Sequence, residues 1–359
     1  MAASREGRLA ATPFLILNSG DNILDESDSR KENDSSKGDD TPYDAWEHIC
    51  ADAFDYPKRG LIALLTVYFD ATYNQPSKSR PNQPILHGVG CYLARYEDWK
   101  RFRREWRIEL GKKGLPYFHM TDFERAKALV KAGKPLEESS HYYGWSVDEF
   151  EAFQKRLYRH INRQRPDGTY RVVAFNSSLI KTDFDKTRPA ELKNDPECKS
   201  HYIFNVANLM KGIARWCNEN SVRDPIHYIF SDGDKEGNNL YNWFKHCWQY
   251  ETSRKYYHLS KGYSRLGPNV SYDTQFMEGE PALQAADIVA YEMNKIAIEI
   301  AERGHANILL AELRKTLPFL CKADHFGRTL REPELKAAFS DILSVRSREP
   351  VKTKKGRRK

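Results

Sequence analysis

Apolar and polar positions alternate along the chain in blocks that predict a sheet flanked by helices. Leu61–Asp70 (LIALLTVYFD) is an almost unbroken apolar run of strand length, rich in β-branched and aromatic residues, and reads as a buried strand. Ile85–Ala94 (ILHGVGCYLA) reads as its neighbour. Asn74, Gln75, Pro76, Pro81 and Pro84 lie between the two, so a hairpin with a long loop is the simplest connection. Trp99, Phe102, Trp106 and Leu110 then recur at helical spacing in an Arg- and Lys-rich segment that Gly111 and Gly114 close. A second helix fits Ser146–Gln164, with Ser146 as N-cap and Glu149 as its capping-box partner. Tyr170–Phe175 predicts a third strand, Lys199–Asn218 an amphipathic helix, and Ile226–Ser231 a fourth strand that ends in Asp232. Leu240–Tyr250 is helical in pattern, Pro268–Phe276 alternates as a fifth strand, and Pro281–Ile300 is a long helix with Pro281 suited to its first position. More helices follow to about Leu343. Strands first, then strand–helix alternation, then helices predict an α/β fold: a mixed sheet of about five strands flanked by helices, with extra C-terminal helices.

Composition divides the chain further. Residues 1 to about 41 read as a disordered acidic segment, because Asp25–Asp40 is nearly all Asp, Glu, Ser, Lys, Asn and Gly. Residues 42–344 hold the folded domain with its helical C-terminal extension. The formal charge is +7, and its location matters more than its size. Val345–Lys359 carries eight basic residues against Glu349, which accounts for the whole excess. Residues 345–359 therefore read as a disordered basic tail, either simply solvated or in salt-sensitive contact with a phosphate backbone. No run of about 18 apolar residues exists, so no membrane span is expected. Leu9–Leu17 faintly resembles a secretion signal, but Pro13 interrupts it and no clear small-residue cleavage site follows. Cys50, Cys91, Cys198, Cys217, Cys247 and Cys321 form no C-x-x-C pair, and their spacing suggests neither zinc nor a disulfide framework. Reduced thiols in a cytoplasmic protein are the expectation.

Three carboxylates stand out by context. Asp70 ends the most apolar strand, Asp232 ends the next clear buried strand, and Asp287 sits inside the helix Pro281–Ile300 among Leu283, Gln284, Ala290, Tyr291 and Asn294. A charge on such an inward face is costly unless it is paired or bound to a metal. Two strand-end acids and one helical acid can converge on a divalent ion such as Mg²⁺, which prefers hard oxygen ligands and can orient water for in-line phosphoryl displacement. Singly, each also has an ordinary explanation: Asp is a common turn residue, and Asp287 could be satisfied by hydrogen bonds. His119, in Tyr117–Asp122, could position the attacking water or protonate a leaving oxygen, or could simply bond a carboxylate. Asp234, Glu278 and Glu280 could reach a metal, or the two glutamates could favour the start of the following helix. There is no P-loop, dinucleotide fingerprint, H-E-x-x-H or convincing nucleophile motif.

These residues also carry a resemblance. Tyr68-Phe69-Asp70, Gly88 and Gly90, the Trp99/Phe102/Trp106 helix, Phe118-His119, Tyr228–Asp232 and Leu283-Gln284-Ala285-Ala286-Asp287 resemble, in order, the domain-of-unknown-function 3800 family over roughly residues 62–295. The resemblance implies a ribonuclease H-like fold, in which acids on the first strand, a later strand and a terminal helix hold Mg²⁺ or Mn²⁺ for cleavage or strand transfer of nucleic acid. The counterparts are Asp70, Asp232 and Asp287. That family usually has a further acid directly after its first-strand Asp, where this chain has Ala71. A metal-dependent nuclease, a nucleic-acid-binding module with a degenerate site, and a protein-interaction domain are therefore the three classes the sequence supports. DNA against RNA, strandedness and oligomeric state are written in none of these patterns.

Overall fold

The computed structural model describes residues 65–73, 83–222, 224, 226–231, 239–240, 242–243, 247, 279–303 and 326–348, without the side chains of 326–328 and 345–348. Its strands are β1 (Leu65–Tyr73), β2 (Leu86–Arg95), β3 (Val173–Ile180), β4 (Ile226–Phe230) and β5 (Phe326–Leu330). Its helices are α1 (Tyr96–Gly111), α2 (Met120–Lys131), α3 (Val147–Ile161), α4 (Lys181–Thr187), α5 (His201–Glu219), α6 (Pro281–Arg303) and α7 (Glu332–Arg348). The sheet order is β4-β1-β2-β3-β5. β2 runs antiparallel to both of its neighbours, β1 and β3, while β4 runs parallel to β1 and β5 parallel to β3. The fold is thus α/β, a five-stranded mixed sheet with helices on both faces.

The period of two along the strands decides what each face holds. Val67, Phe69, Val89, Cys91 and Phe175 pack with Ile203, Val206, Met210 and Ile213 of α5. Tyr68, Tyr92 and Ala94 point the other way, into a cluster with α6 and the aromatic side of α1, α2 and α3. Trp99 is tied to the sheet by its indole N–H, which donates to the Thr66 carbonyl at 2.9 Å. A third cluster joins Leu179 and Phe184 to Phe204, Leu330, Leu335 and Phe339, seating α7 beyond β3.

β1, β2, α1, α3, α5, β4 and α6 form where the apolar pattern predicts them, and the Ser146–Glu149 capping box is present at the start of α3. Four expectations change. β3 begins at Val173 and runs to Ile180, beyond the predicted end at Phe175, because polar Asn176, Ser177 and Ser178 continue the strand while buried. Ser177 Oγ donates to Asn205 Oδ1 of α5 at 2.8 Å, which satisfies that hydroxyl inside the core. α2 occupies a stretch that gave only a candidate histidine. The described fifth strand is Phe326–Leu330, in a stretch read as helical; Pro268–Phe276 and most of Leu240–Tyr250 lie outside the described residues. The final helix runs to Arg348, through the first residues of the basic run. Among the described residues, no helix is long and apolar enough to cross a membrane. The four cysteines among them, Cys91, Cys198, Cys217 and Cys247, are buried.

Candidate active site

Asp70 and Asp287 meet between β1 and α6. Strand alternation sends Asp70 to the α6 side of the sheet, while Phe69 and Ala71 face α5. Across the hairpin, Asp70 pairs with Gly90. A Cβ at Gly90 would lie 2.5 Å from the Ala290 nitrogen, 2.7 Å from Val289 Cγ1 and 2.8 Å from Ala290 Cα. Helix α6 therefore rests on the bare backbone of β2, in a space that only glycine leaves. Asp287, one turn before Ala290, arrives at Asp70, and the two side chains share a hydrogen bond. They are 7% and 4% exposed respectively.

Two carboxylates that share a hydrogen bond need one proton between them. Burial, the largest cause, raises the Asp287 carboxyl above its ordinary value, and the nearby charge of Asp122 adds to this. The charge of His119, the Met120 N–H and the hydrogen bond with Asp70 act the other way. Burial wins: the site favours a proton or another positive charge on the pair.

The same helix places His119. Met120 N–H donates to Asp287 Oδ2 at 2.6 Å, and Phe118 N–H donates to Gln284 Oε1 at 3.0 Å. Gln284 also receives the Trp106 indole N–H at 2.9 Å, which fixes its amide. Gln284 and Asp287 stand three apart, on one face of α6. Together they hold the two amides that bracket His119, so its backbone is pinned beside the acid pair. The His119 ring is partly exposed, and its Nδ1 lies 3.0 Å from Asp122 Oδ2, with Arg125 donating to Asp122 Oδ1 at 2.6 Å. Asp287 also starts α2. The N-cap residue His119 makes no side-chain cap, and the carboxylate from α6 takes the Met120 N–H instead.

The other sequence candidates fall as follows. Asp232, Asp234 and Glu278 lie outside the described residues. Ser231, the last described residue before Asp232, donates its N–H to the Phe69 carbonyl at 2.9 Å, which carries the chain alongside the end of β1. Glu280 is engaged at the helix start. It binds Arg103 Nε at 2.9 Å and accepts the Ala282 N–H at 3.1 Å, and Arg103 also donates to the Tyr68 hydroxyl. Ala71 packs on the α5 side, so the residue after Asp70 does not face Asp287. Among the described residues, no three acids, histidines or cysteines are grouped to hold a metal. Asp70 and Asp287 are a buried pair of hard oxygen donors, which fits a cation such as Mg²⁺ that keeps several of its own waters.

The sequence underplayed Gln284, Asp122 and the Met120 N–H. The i, i+3 spacing of Gln284 and Asp287 was the available signal; that each would take a backbone amide of the Phe118–Met120 segment was not readable. Comparison with protein-family models, with curated proteins and with solved structures finds no match to this chain.

Proposed function

We propose that this chain is a divalent-metal-dependent nuclease, or a related phosphodiester-transfer enzyme, of the ribonuclease H-like class, acting on DNA or RNA. The observation that carries the reading is the buried Asp70–Asp287 pair, joined from a strand and a helix far apart in sequence and bordered by His119. A five-stranded mixed sheet flanked by helices is compatible with that class. In this reading Asp70 and Asp287 hold Mg²⁺ or Mn²⁺, with Asp232 as the third ligand. The metal, when bound, supplies charge stabilisation and a polarised water for in-line displacement. Met120 N–H fixes Oδ2 of Asp287, whose side chain also shares a hydrogen bond with Asp70. His119, held by its flanking amides, moves a proton to or from the reacting oxygens, with Asp122 orienting its ring. The basic run 345–359 contacts phosphate backbone through salt-sensitive pairs.

Purified chain should cut DNA or RNA in Mg²⁺ or Mn²⁺, and Asp70→Asn should slow this by at least about a hundredfold, as loss of a principal charge-stabilising group does. Equal rates for the two proteins overturn the proposal.

A binding-only role is the second reading. The observation favouring it is the Met120 N–H on Asp287, which gives that buried carboxylate a structural duty as the cap of α2. It predicts salt-sensitive nucleic-acid binding, weakened by deletion of Val345–Lys359, with no turnover in any metal.

A further inference from the structure

Core packing accounts for only one side of α1. Each residue turns an α-helix by about 100°, so Trp99, Phe102, Trp106 and Leu110 fall together, and they are buried in the core. Lys100, Arg101, Arg104 and Arg107 fall within an arc of about 120° on the opposite side, and all four are exposed. Glu97, in the first turn, is the one acid on that arc. The other acids of α1 stand at its flank and are already engaged. Asp98 takes Arg165 at 2.6 Å, Glu105 pairs with Arg163 and Arg171, and Glu109 holds Lys112 at 2.7 Å and Arg156 at 3.2 Å. Among the described residues, the side chains of Lys100, Arg101 and Arg104 have no ion pair or hydrogen bond.

A face that serves only solubility typically mixes its signs. That is the pattern on α3, which exposes Asp148 and Glu151 with Lys155 and Arg159, and on α7, which exposes Glu334 and Asp341 with Lys336. The four cations of α1 stand within about 10 Å of helix, where they repel one another and favour a polyanion.

Three features select the polyanion. The run from Lys100 to Arg107 matches the rise of about three nucleotides in a duplex strand. Ile108 is the one large apolar side chain that α1 exposes, whereas a helix lying on a membrane needs an apolar face for the lipid, and that of α1 is buried in the core. Finally, α1 is fixed to the helix that carries Asp287. Arg103 Nε binds Glu280 at 2.9 Å, and the Trp106 indole N–H donates at 2.9 Å to Gln284, one turn before Asp287. Arg107, next to Arg103 on the helix surface, donates to the Gly279 carbonyl at 3.4 Å, so the basic face begins at the foot of α6.

We infer, resting on the nucleic-acid partner of the proposed function, that Lys100, Arg101, Arg104 and Arg107 form a surface that holds a nucleic-acid phosphate backbone without regard to base sequence and leads it toward Asp70 and Asp287.

Fluorescence anisotropy with the full chain and labelled DNA and RNA duplexes, in EDTA to withhold the metal that cutting needs, reads the contact through its salt dependence. Each phosphate contact contributes about 0.9 to the slope of log affinity against log salt. Lys100→Gln, Arg101→Gln and Arg104→Gln together should lower the slope by about 2–3 and weaken binding roughly a hundredfold at about 0.15 M salt. Lys100→Arg with Arg101→Lys and Arg104→Lys, which keeps the charges, should keep the slope. Lys131→Gln with Lys155→Gln and Arg159→Gln removes three exposed cations from α2 and α3 and should keep it too. An unchanged slope on both duplexes in the α1 glutamine variant overturns the inference. So does an equal fall in the α2 and α3 control, which would make net charge the cause. Loss of binding to phosphatidylserine vesicles without loss on either duplex would assign the face to a membrane and likewise overturn it. Cutting is scored separately, in Mg²⁺ and Mn²⁺. Binding through α1 with no cutting of DNA or RNA overturns the nuclease reading and keeps the α1 surface. Normal cutting by the α1 glutamine variant, with KM unchanged, overturns the surface and keeps the nuclease.

Discussion

Replacing Gly90 by Ala tests whether the contact of α6 with the sheet creates the acid pair. The added Cβ meets Ala290 N at 2.5 Å, Val289 Cγ1 at 2.7 Å and Ala290 Cα at 2.8 Å. Optimal carbon contacts are about 3.5–4.0 Å, so the helix must retreat by roughly 1 Å. Two of the three atoms are helix backbone and cannot rotate aside. Overpacking of this kind costs about 1–3 kcal/mol. For a domain of this size that is a melting temperature lower by roughly 3–10 °C. The retreat also lengthens the Met120 N–H to Asp287 bond, now 2.6 Å, beyond hydrogen-bonding range. A 1 Å displacement near the chemistry can cost about a hundredfold in rate. Gly88→Ala is the control. Its Cβ would meet Thr72 Cγ2 at 3.0 Å and the Asn294 and Ser178 side-chain oxygens at 3.4 Å, all side-chain atoms that can give way. Thermal unfolding of both variants, with amide hydrogen exchange at Met120, reads the effect. If Gly90→Ala unfolds with Gly88→Ala and protects Met120 as the unmutated chain does, the close approach of α6 is not what assembles the pair.

Three further predictions follow from buried charge. The folded Asp287 carboxyl holds its proton more tightly than the unfolded one, because of burial, so it stabilises the fold at low pH and loses that advantage as pH rises from its unfolded value of 3.8 through its folded one. Asp287→Asn keeps an acceptor for Met120, and its gain in melting temperature over the unmutated chain should be larger at pH 7 than at pH 3.5; an equal difference at both refutes the sign. His87 behaves oppositely: burial, aided by the charge of His201, lowers it from 6.5 to about 3, so stability is full above pH 6.5 and is lost as pH falls toward 3. The full effect is about 4–5 kcal/mol, and His87→Gln should flatten the acid arm of a urea-unfolding profile, where an unchanged arm would refute the assignment. Arg103→Ala strips Glu280 of its buried ion partner and should cost about 3–5 kcal/mol in urea unfolding. Arg103→Met with Glu280→Gln should recover part of that loss, and strict additivity of the two changes would deny the coupling.

Much of the fold was legible because long apolar periods survive local noise. Leu65–Tyr73, Leu86–Arg95 and the first half of Pro281–Arg303 are mostly buried and predominantly apolar, so their few polar residues do not hide the pattern. β3 was less legible, since Asn176-Ser177-Ser178 reads as loop until α5 supplies Asn205 as a partner. β5 (FGRTL) is too short and polar to announce itself, and pairing with β3 alone makes it a strand. The start of α2 was hidden because its cap comes from Asp287, 167 residues away. Asp70 and Asp287 could be nominated singly, each as a charge interrupting an apolar pattern. Their meeting depends on the missing side chain of Gly90, and an absent atom leaves no hydropathy signal.

The hold that Gln284 and Asp287 exert on the segment before α2 is indifferent to what stands at position 119. Both grips fall on peptide N–H groups, which every residue except proline possesses, and neither falls on the imidazole. Position 119 is therefore a socket: a side chain of another kind inserted there would be delivered to the same spot, oriented by the same two bonds. The framework separates the question of where a reactive group sits from the question of which group it is. A scaffold organised in this way can change its chemistry by one substitution without dismantling the support that presents it.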